Sequence, residues 1–212
     1  MLDRAIRVFG MASEELNKAL VIGNGESRKN INLEQYANYT LIGCNAIHRD
    51  IIVDHLICCD RRMVEESTNN PNTNNTQIYV RESWYHYFRK IKKNKNVKLL
   101  PTLPYEGDKK ADHPDHWGSG GYAVLVAASL GFKEIELIGF DLYPIGTTVN
   151  NVYKGTANYS KADARPVDYS FWVYQISQIF RHYPNTQFVI RNRDTWICPD
   201  DWQKENVKFV AL

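Results

Sequence analysis

The sequence predicts an α/β protein, a single Rossmann-like, doubly wound and mainly parallel sheet with helices on both faces and two long loops over its site. Three observations carry this expectation. Short apolar runs recur without polar alternation, as strands covered on both faces require. Between them lie segments of helical spacing. Glycine, Asn or Asp closes several of the runs, which is where open α/β sheets bind ligands.

The elements follow in order. KALVIGNG (18–25) is a buried run stopped by glycines, and YTLIGCN (39–45) and VDHLICCD (53–60) repeat the type. TQIYV (76–80), NVKLL (96–100), KEIELIGFD (133–141) and TQFVIRN (186–192) complete seven strands. Helices are expected over RRMVEES (61–67), SWYHYFRKIKK (83–93), GGYAVLVAASLG (120–131) and VDYSFWVYQISQIFRHY (167–183). STNNPNTNNT (67–76) reads as a solvated loop. Residues 101–121 and 143–166 lack periodicity, and stretches of that length inside a compact domain act as lids or binding elements. Both flank the helix–strand unit 120–141. Residues 1–15 read as an N-terminal arm with an amphipathic face (Leu2, Ile6, Val8, Phe9), and 16–212 as one nucleotide-binding domain.

Composition narrows the function. With 212 residues, 43% of them hydrophobic and 24% charged, the chain suits one globular core and neither disorder nor a coiled coil. A net charge of +2 lacks the basic excess of a phosphate-neutralising nucleic-acid binder, so none is expected. Aromatic residues at 12%, thirteen of them Tyr, suit a ligand cleft as well as a core. Cys44, Cys58 and Cys59 sit in apolar runs and, with Cys198, form no disulfide or zinc spacing, so free thiols in a reducing compartment are expected. No window resembles a secretory leader or a membrane span, which gives the expectation of a cytoplasmic protein without stable membrane insertion.

Three constellations bear chemistry. Gly23-Asn24-Gly25-Glu26-Ser27 follows the first strand, where glycines let a backbone approach a phosphate or nucleoside. It has no third glycine and no acidic ribose partner, and a tight turn explains it equally well. Asn24, Asn45, Asp60 and Asp141 each close an apolar run, so one parallel sheet would gather them into one crevice; singly, each reads as a cap or turn residue. Ser119 with Gly120 and Gly121 opens the third helix, with Ser119 placed as its N-cap and the glycines leaving N–H groups free for an anion. After that helix comes KEIELIGFDLYP, whose strand ends in Gly139-Phe140-Asp141-Leu142-Tyr143.

Taken together, V-I-G-N-G-x-S, a strand ending C-N, and the block from Ser119-Gly120 through Gly139-Phe140-Asp141-x-Tyr143 resemble the bacterial sialyltransferases of glycosyltransferase family forty-two. The chain is also similar to the wider superfamily of flagellin-modifying accessory factors and pterin pyrophosphokinase-like proteins. The resemblance covers residues 18–62 and 117–145. It implies that Asn24, Asn45, Ser119 and Gly120 hold a CMP-sugar donor, and that Gly139 and Asp141 bind its nucleoside. Gly23, Gly25 and Ser27 belong to the same turn. Asp60 stands where the family has a third strand-end asparagine. Tyr143 matches the tyrosine that assists the departing phosphate. The family's second phosphate-binding tyrosine aligns with Val149, leaving Tyr153 as its substitute.

The family's histidine base has no counterpart in SKADARPVDYSFW (160–172), where Asp163 lies nearest the expected place. His113 and His116 are the other candidates for the role. The resemblance implies displacement at the anomeric carbon of the donor, with Tyr143 and the N–H groups near Ser119 stabilising the leaving phosphate and no metal cofactor. The partners expected are a nucleotide-sugar and a soluble acceptor, because the chain ends at WQKENVKFVAL without the family's long membrane-associating segment; a homo-oligomer stays open. Two alternatives also stay open. A pyrophosphokinase-like transferase would hold Mg²⁺ on Asp60 and Asp141, and a non-catalytic nucleotide or nucleotide-sugar binder would account for the missing histidine.

Overall fold

The computed structural model describes residues 17–212, so the arm expected over residues 1–15 lies outside the described residues. Eight strands form one sheet in the order β5-β4-β3-β2-β1-β6-β7-β8, and every pairing is parallel. They are β1 (Lys18–Ile22), β2 (Thr40–Cys44), β3 (His55–Cys58), β4 (Gln77–Val80), β5 (Val97–Leu99), β6 (Glu134–Ile138), β7 (Gln187–Asn192) and β8 (Val207–Ala211). The chain steps outward from β1 to one edge, returns to the other side of β1 as β6, and steps outward again. Such a sheet is doubly wound, and its order reverses between β1 and β6.

The apolar runs are continuous because successive side chains enter different cores. In β1, Ala19 and Val21 face one layer while Leu20 and Ile22 face the other. The first layer holds α3 (Ser119–Ser129) and α4 (Ser170–His182). The α3 residues from Gly121 to Ala128 are all buried, as expected of a helix packed between the sheet and a second helix. The opposite layer holds α1 (Arg61–Asn69) and α2 (Glu82–Tyr85), the latter continuing as a π-helical turn over His86–Ile91. On this face the buried Glu136 pairs with the partly exposed Arg191, and the Tyr39 hydroxyl donates to Glu136 at 2.7 Å.

Several elements differ from expectation. The eighth strand, β8, has no run of core residues to announce it: Lys208 through Ala211 are exposed, and the Phe209 ring stacks on Trp196. The 67–76 stretch is not simply solvated. Its Thr73 and Thr76 are buried, and their hydroxyls donate to Ser67 O and Val53 O. Ser119 is the first residue of α3, and Gly118 takes the N-cap position. The 101–121 stretch is packed against α4, since the Trp117 indole and the Gln175 amide both donate to Ala111 O at 3.0 Å. No helix among the described residues is long and apolar enough to cross a membrane.

At the reversal the two central strands approach too closely for side chains. A Cβ on Gly23 would lie 2.4 Å from the Gly139 carbonyl oxygen, whereas one on Gly131 would meet nothing within 4 Å. Gly131 has φ +86° just past the end of α3 and needs glycine only for its left-handed backbone. We therefore expect Gly23→Ala to cost about 2–4 kcal/mol and Gly131→Ala about 1–2 kcal/mol, read as shifts in urea unfolding midpoints. Equal costs would show that the strand-end contact is less confining than its geometry.

Candidate functional site

A cleft of 290 Å³ opens over the carboxyl ends of the strands where the order reverses, the place at which open α/β sheets bind ligands. Its lining comes from the ends of five strands: Gly23, Asn24 and Gly25 after β1, Cys44 and Asn45 after β2, Cys59 and Asp60 after β3, Arg81 after β4, and Gly139–Leu142 after β6. Gly118–Gly121 at the start of α3, Trp172 and Ile176 of α4, and Asn150 and Asn151 close the walls. The four strand-end residues Asn24, Asn45, Asp60 and Asp141 thus share one cleft. Ser119 and Gly120 share it with them.

The glycine turn is mostly occupied by the protein itself. Gly23 N donates to Ile138 O and Gly25 N to Gly139 O, both at 2.8 Å, so the β1–β6 ladder runs on past the strands. A Cβ on Gly25 would strike the Asp141 carboxyl at 2.4 Å. Both Asp141 oxygens are in turn taken by Ser27, one by its N–H at 2.9 Å and the other by its hydroxyl. Asp141 is buried, and Ser27 supplies the donors that make such burial of a carboxylate tolerable.

A second network orders the amides. The Ser119 hydroxyl donates to Asn45 Oδ1 at 2.8 Å and accepts from Cys59 N at 3.0 Å, linking α3, β2 and β3 across the floor. Asn45 sits at φ +53° and Leu142 at φ +62°, so two of the four non-glycine residues with left-handed backbone among the described residues line this cleft. Strain of this kind persists only where surrounding contacts over-determine it. For Asn45 those contacts include the buried His48, whose Nδ1 lies 2.9 Å from Asn45 O. Burial pushes the Cys44 thiol up to about 12, so it lines the cleft as a neutral group.

The electrostatics of the cleft are sparse. Its charged lining groups are Asp60, Arg81 and Asp141. Arg81 is held by Asp115 O at 2.9 Å, the Asp115 carboxylate at 3.4 Å and Trp117 O at 2.7 Å, and its buried Nε has no partner among the described residues. Asp60 stands at the N-cap position of α1 without capping it, and its exposed side chain has no partner among the described residues. The first turn of α3 adds unpaired N–H groups and the positive end of the helix. Glycines at positions 118, 120 and 121 leave that turn uncovered.

The residues expected to act in chemistry lie elsewhere. The Tyr143 hydroxyl donates to Ile197 O at 2.9 Å, and its ring packs on Tyr169 and Trp196, away from the lining. Tyr153 is buried on the α1 side of the sheet, donating to Asp50 at 2.7 Å and accepting from Arg28 at 2.8 Å. Asp163 is exposed and outside the cleft. His113 and His116 are exposed, stack edge to face on each other, and likewise stand outside it. Arg81, Trp172, Asn150 and Asn151 are lining residues that the sequence did not single out. Arg81 was findable, since it ends the fourth strand as Asn24, Asn45 and Asp60 end the first three. Trp172 reaches the cleft only through the packing of α4 and left no mark in the sequence.

The 143–166 segment is a fixed strap. Arg49 donates to Thr156 Oγ1 at 2.8 Å and to Ala157 O at 2.9 Å, and pairs with Glu66 of α1, which also accepts from Asn158 Nδ2 at 2.8 Å. The Arg49 guanidinium holds the Glu66 carboxyl below its ordinary value of 4.5, against the opposing effect of burial. A carboxyl depressed on folding contributes stability above 4.5 and loses it as pH falls through the lower folded value. Glu66→Gln is therefore expected to cost about 1–2 kcal/mol at neutral pH, and the cost is expected to shrink as pH is lowered below 4.5, followed by urea midpoints across the acid range. A cost that persists in acid would assign the loss to packing.

Comparison with protein-family models, with curated proteins and with solved structures finds no match to this chain.

Proposed function

We propose that the cleft binds a nucleotide-activated sugar of the CMP-sialic-acid type and that the protein transfers the sugar to an acceptor hydroxyl without a metal. The observation that carries this reading is the placement of Gly118–Gly121, the glycine-opened start of α3, in one cleft with the strand-end amides Asn24 and Asn45 and the guanidinium of Arg81. A helix start of that kind stabilises a phosphate, including the charge that grows on it as the glycosidic bond breaks. Asparagine amides suit a ribose or a base, and the Trp172 ring offers an apolar wall to either. The resemblance to the sialyltransferases supports the choice of cytidine and of a sugar donor.

In this scheme Arg81 and the α3 N–H groups hold the phosphate in place of Tyr143, whose hydroxyl is committed to Ile197 O. The acceptor proton falls to Asp60, the one lining carboxylate whose oxygens the described residues leave free. The Mg²⁺-dependent alternative needs Asp141 beside Asp60, and both Asp141 oxygens are engaged by Ser27. The non-catalytic binder is favoured by one specific observation: the cleft lining contains no histidine, and the two tyrosines expected to act are bonded elsewhere.

Thermal unfolding with CMP, CMP-sialic acid, a UDP-sugar, and ATP with and without Mg²⁺ tests the reading. A ligand at about 100 times its Kd stabilises by about 2.7 kcal/mol, a rise of several degrees, expected for the cytidine ligands alone. Release of CMP from the donor should survive EDTA and fall about 100-fold or more in Asp60→Asn with little change in the Kd for CMP. Binding without release establishes the binder, and stabilisation by ATP with Mg²⁺ alone establishes the kinase-type alternative.

A further inference from the structure

The strap over residues 143–166 ends its path against Asn24, and the contact decides what that asparagine can offer a ligand. Tyr153 and Tyr159 pack together on the α1 face of the sheet, ring centroids 5.5 Å apart, while Arg49, Glu66 and Asn158 clamp the strap between them. From this anchored position Val152 N donates to the Asn24 carbonyl at 2.8 Å, and the Tyr159 oxygen accepts from Asn24 Nδ2 at 3.0 Å. The same Nδ2 donates to Cys44 O at 3.2 Å and lies 3.6 Å from Cys44 Sγ.

Both hydrogens of the Asn24 amide are therefore spoken for, one by Cys44 and one by Tyr159. Rotating the amide by half a turn would set its oxygen against the Cys44 carbonyl, two acceptors face to face, so the Cys44 carbonyl fixes which way the amide points, while the Tyr159 hydroxyl takes up the second Nδ2 hydrogen. The amide has one orientation. Its Oδ1 is buried and has no partner among the described residues, although Asn24 lines the cleft.

We infer that Tyr159 is a positioning residue of the cleft: with the Cys44 carbonyl setting the direction of the Asn24 amide, Tyr159 occupies its second Nδ2 hydrogen and leaves Oδ1 as the unmatched acceptor, so the ligand group that meets Asn24 is a hydrogen-bond donor, a hydroxyl or an N–H and not a phosphate oxygen. The inference rests on the reading of the cleft as a nucleotide site for the identity of the ligand, and on the strap geometry alone for the role of Tyr159. A buried, unpaired acceptor selects strongly for a donor, because a ligand lacking one leaves it unsatisfied. Tyr159 thus acts on specificity without itself lining the cleft.

Side-chain amide NMR on unliganded, nitrogen-labelled protein reads the positioning directly. In Tyr159→Phe one Asn24 Nδ2 proton is expected to exchange about tenfold faster, with the Gln175 amide unchanged as an internal control. Asn158→Gly, which keeps the left-handed backbone at φ +62° and releases the strap from Glu66, is expected to act in the same direction and more weakly. It serves if Tyr159→Phe does not fold. Calorimetry with CMP, its 2′,3′-dideoxy analogue and UMP reads the consequence: Tyr159→Phe weakens CMP by about tenfold, and weakens the analogue that lacks the matching donor by less. Unchanged amide exchange, or equal weakening of all three ligands, overturns the inference. Faster exchange in a protein that binds none of the three supports the positioning role and overturns the nucleotide reading of the cleft.

Discussion

The molecule depends on a backbone contact between the ends of β1 and β6. There the sheet reverses its order, and the two strands continue their ladder through Gly23 and Gly25 into Ile138 O and Gly139 O. Neither Gly23 nor Gly139 has room for a Cβ, since each would strike the other's carbonyl within 2.7 Å. The space that a side chain at position 25 would fill is taken by the Asp141 carboxyl, which is satisfied by Ser27. The Gly-Asn-Gly-Glu-Ser turn and the Gly-Phe-Asp strand end are thus two halves of one clamp. A buried carboxylate is tolerable in this place because its partner donors arrive from the opposite half.

That clamp sorts the polar groups of the cleft into those the protein consumes and those it leaves. Asp141, Ser27 and the N–H groups of Gly23 and Gly25 are consumed. Ser119 is consumed as well, bridging Asn45 to Cys59 N. What remains is the Asn24 oxygen, the free part of the Arg81 guanidinium, the Asp60 carboxylate and the first turn of α3. These are the groups that the proposed site offers a ligand, helix N–H groups and one arginine for an anion and hydrogen-bonding groups for the rest. The left-handed backbone at Asn45 and Leu142 falls in the same lining, and contacts from Ser119 and His48 keep Asn45 in place.

Two stretches without periodicity resemble open loops in the sequence and are packed segments in the fold. The first is fastened to α4 through Trp117, Gln175 and a bond from Tyr174 to Asp112. The second is fastened to α1 through Arg49 and Glu66, and carries Tyr153 and Tyr159 into the core on that face. Side chains far apart in sequence make both attachments, which is why neither is visible in the local pattern. The same holds for the residues assigned to chemistry. Tyr143 follows Asp141 by two positions, but the chain turns at Leu142 with φ +62°, and the ring leaves the cleft for Trp196 and Tyr169.

The sequence by itself determined the seven core strands, the four helices, the parallel α/β class and the strand-end residues that meet over the sheet. Each of these follows from local rules: apolar runs without alternation, helical spacing, and glycine, Asn or Asp where a strand must stop. Only the tertiary structure decided that β8 completes the sheet, that Arg81 and Trp172 line the cleft, and that the glycines of the first turn serve strand packing. It also decided that Tyr143, Tyr153 and Asp163 stand outside the lining. The physical reason is range. A strand or a cap is specified within a few residues, whereas the partner of a side chain at a cleft is set by how helices and straps pack across distances in sequence such as the 135 residues between Asn24 and Tyr159.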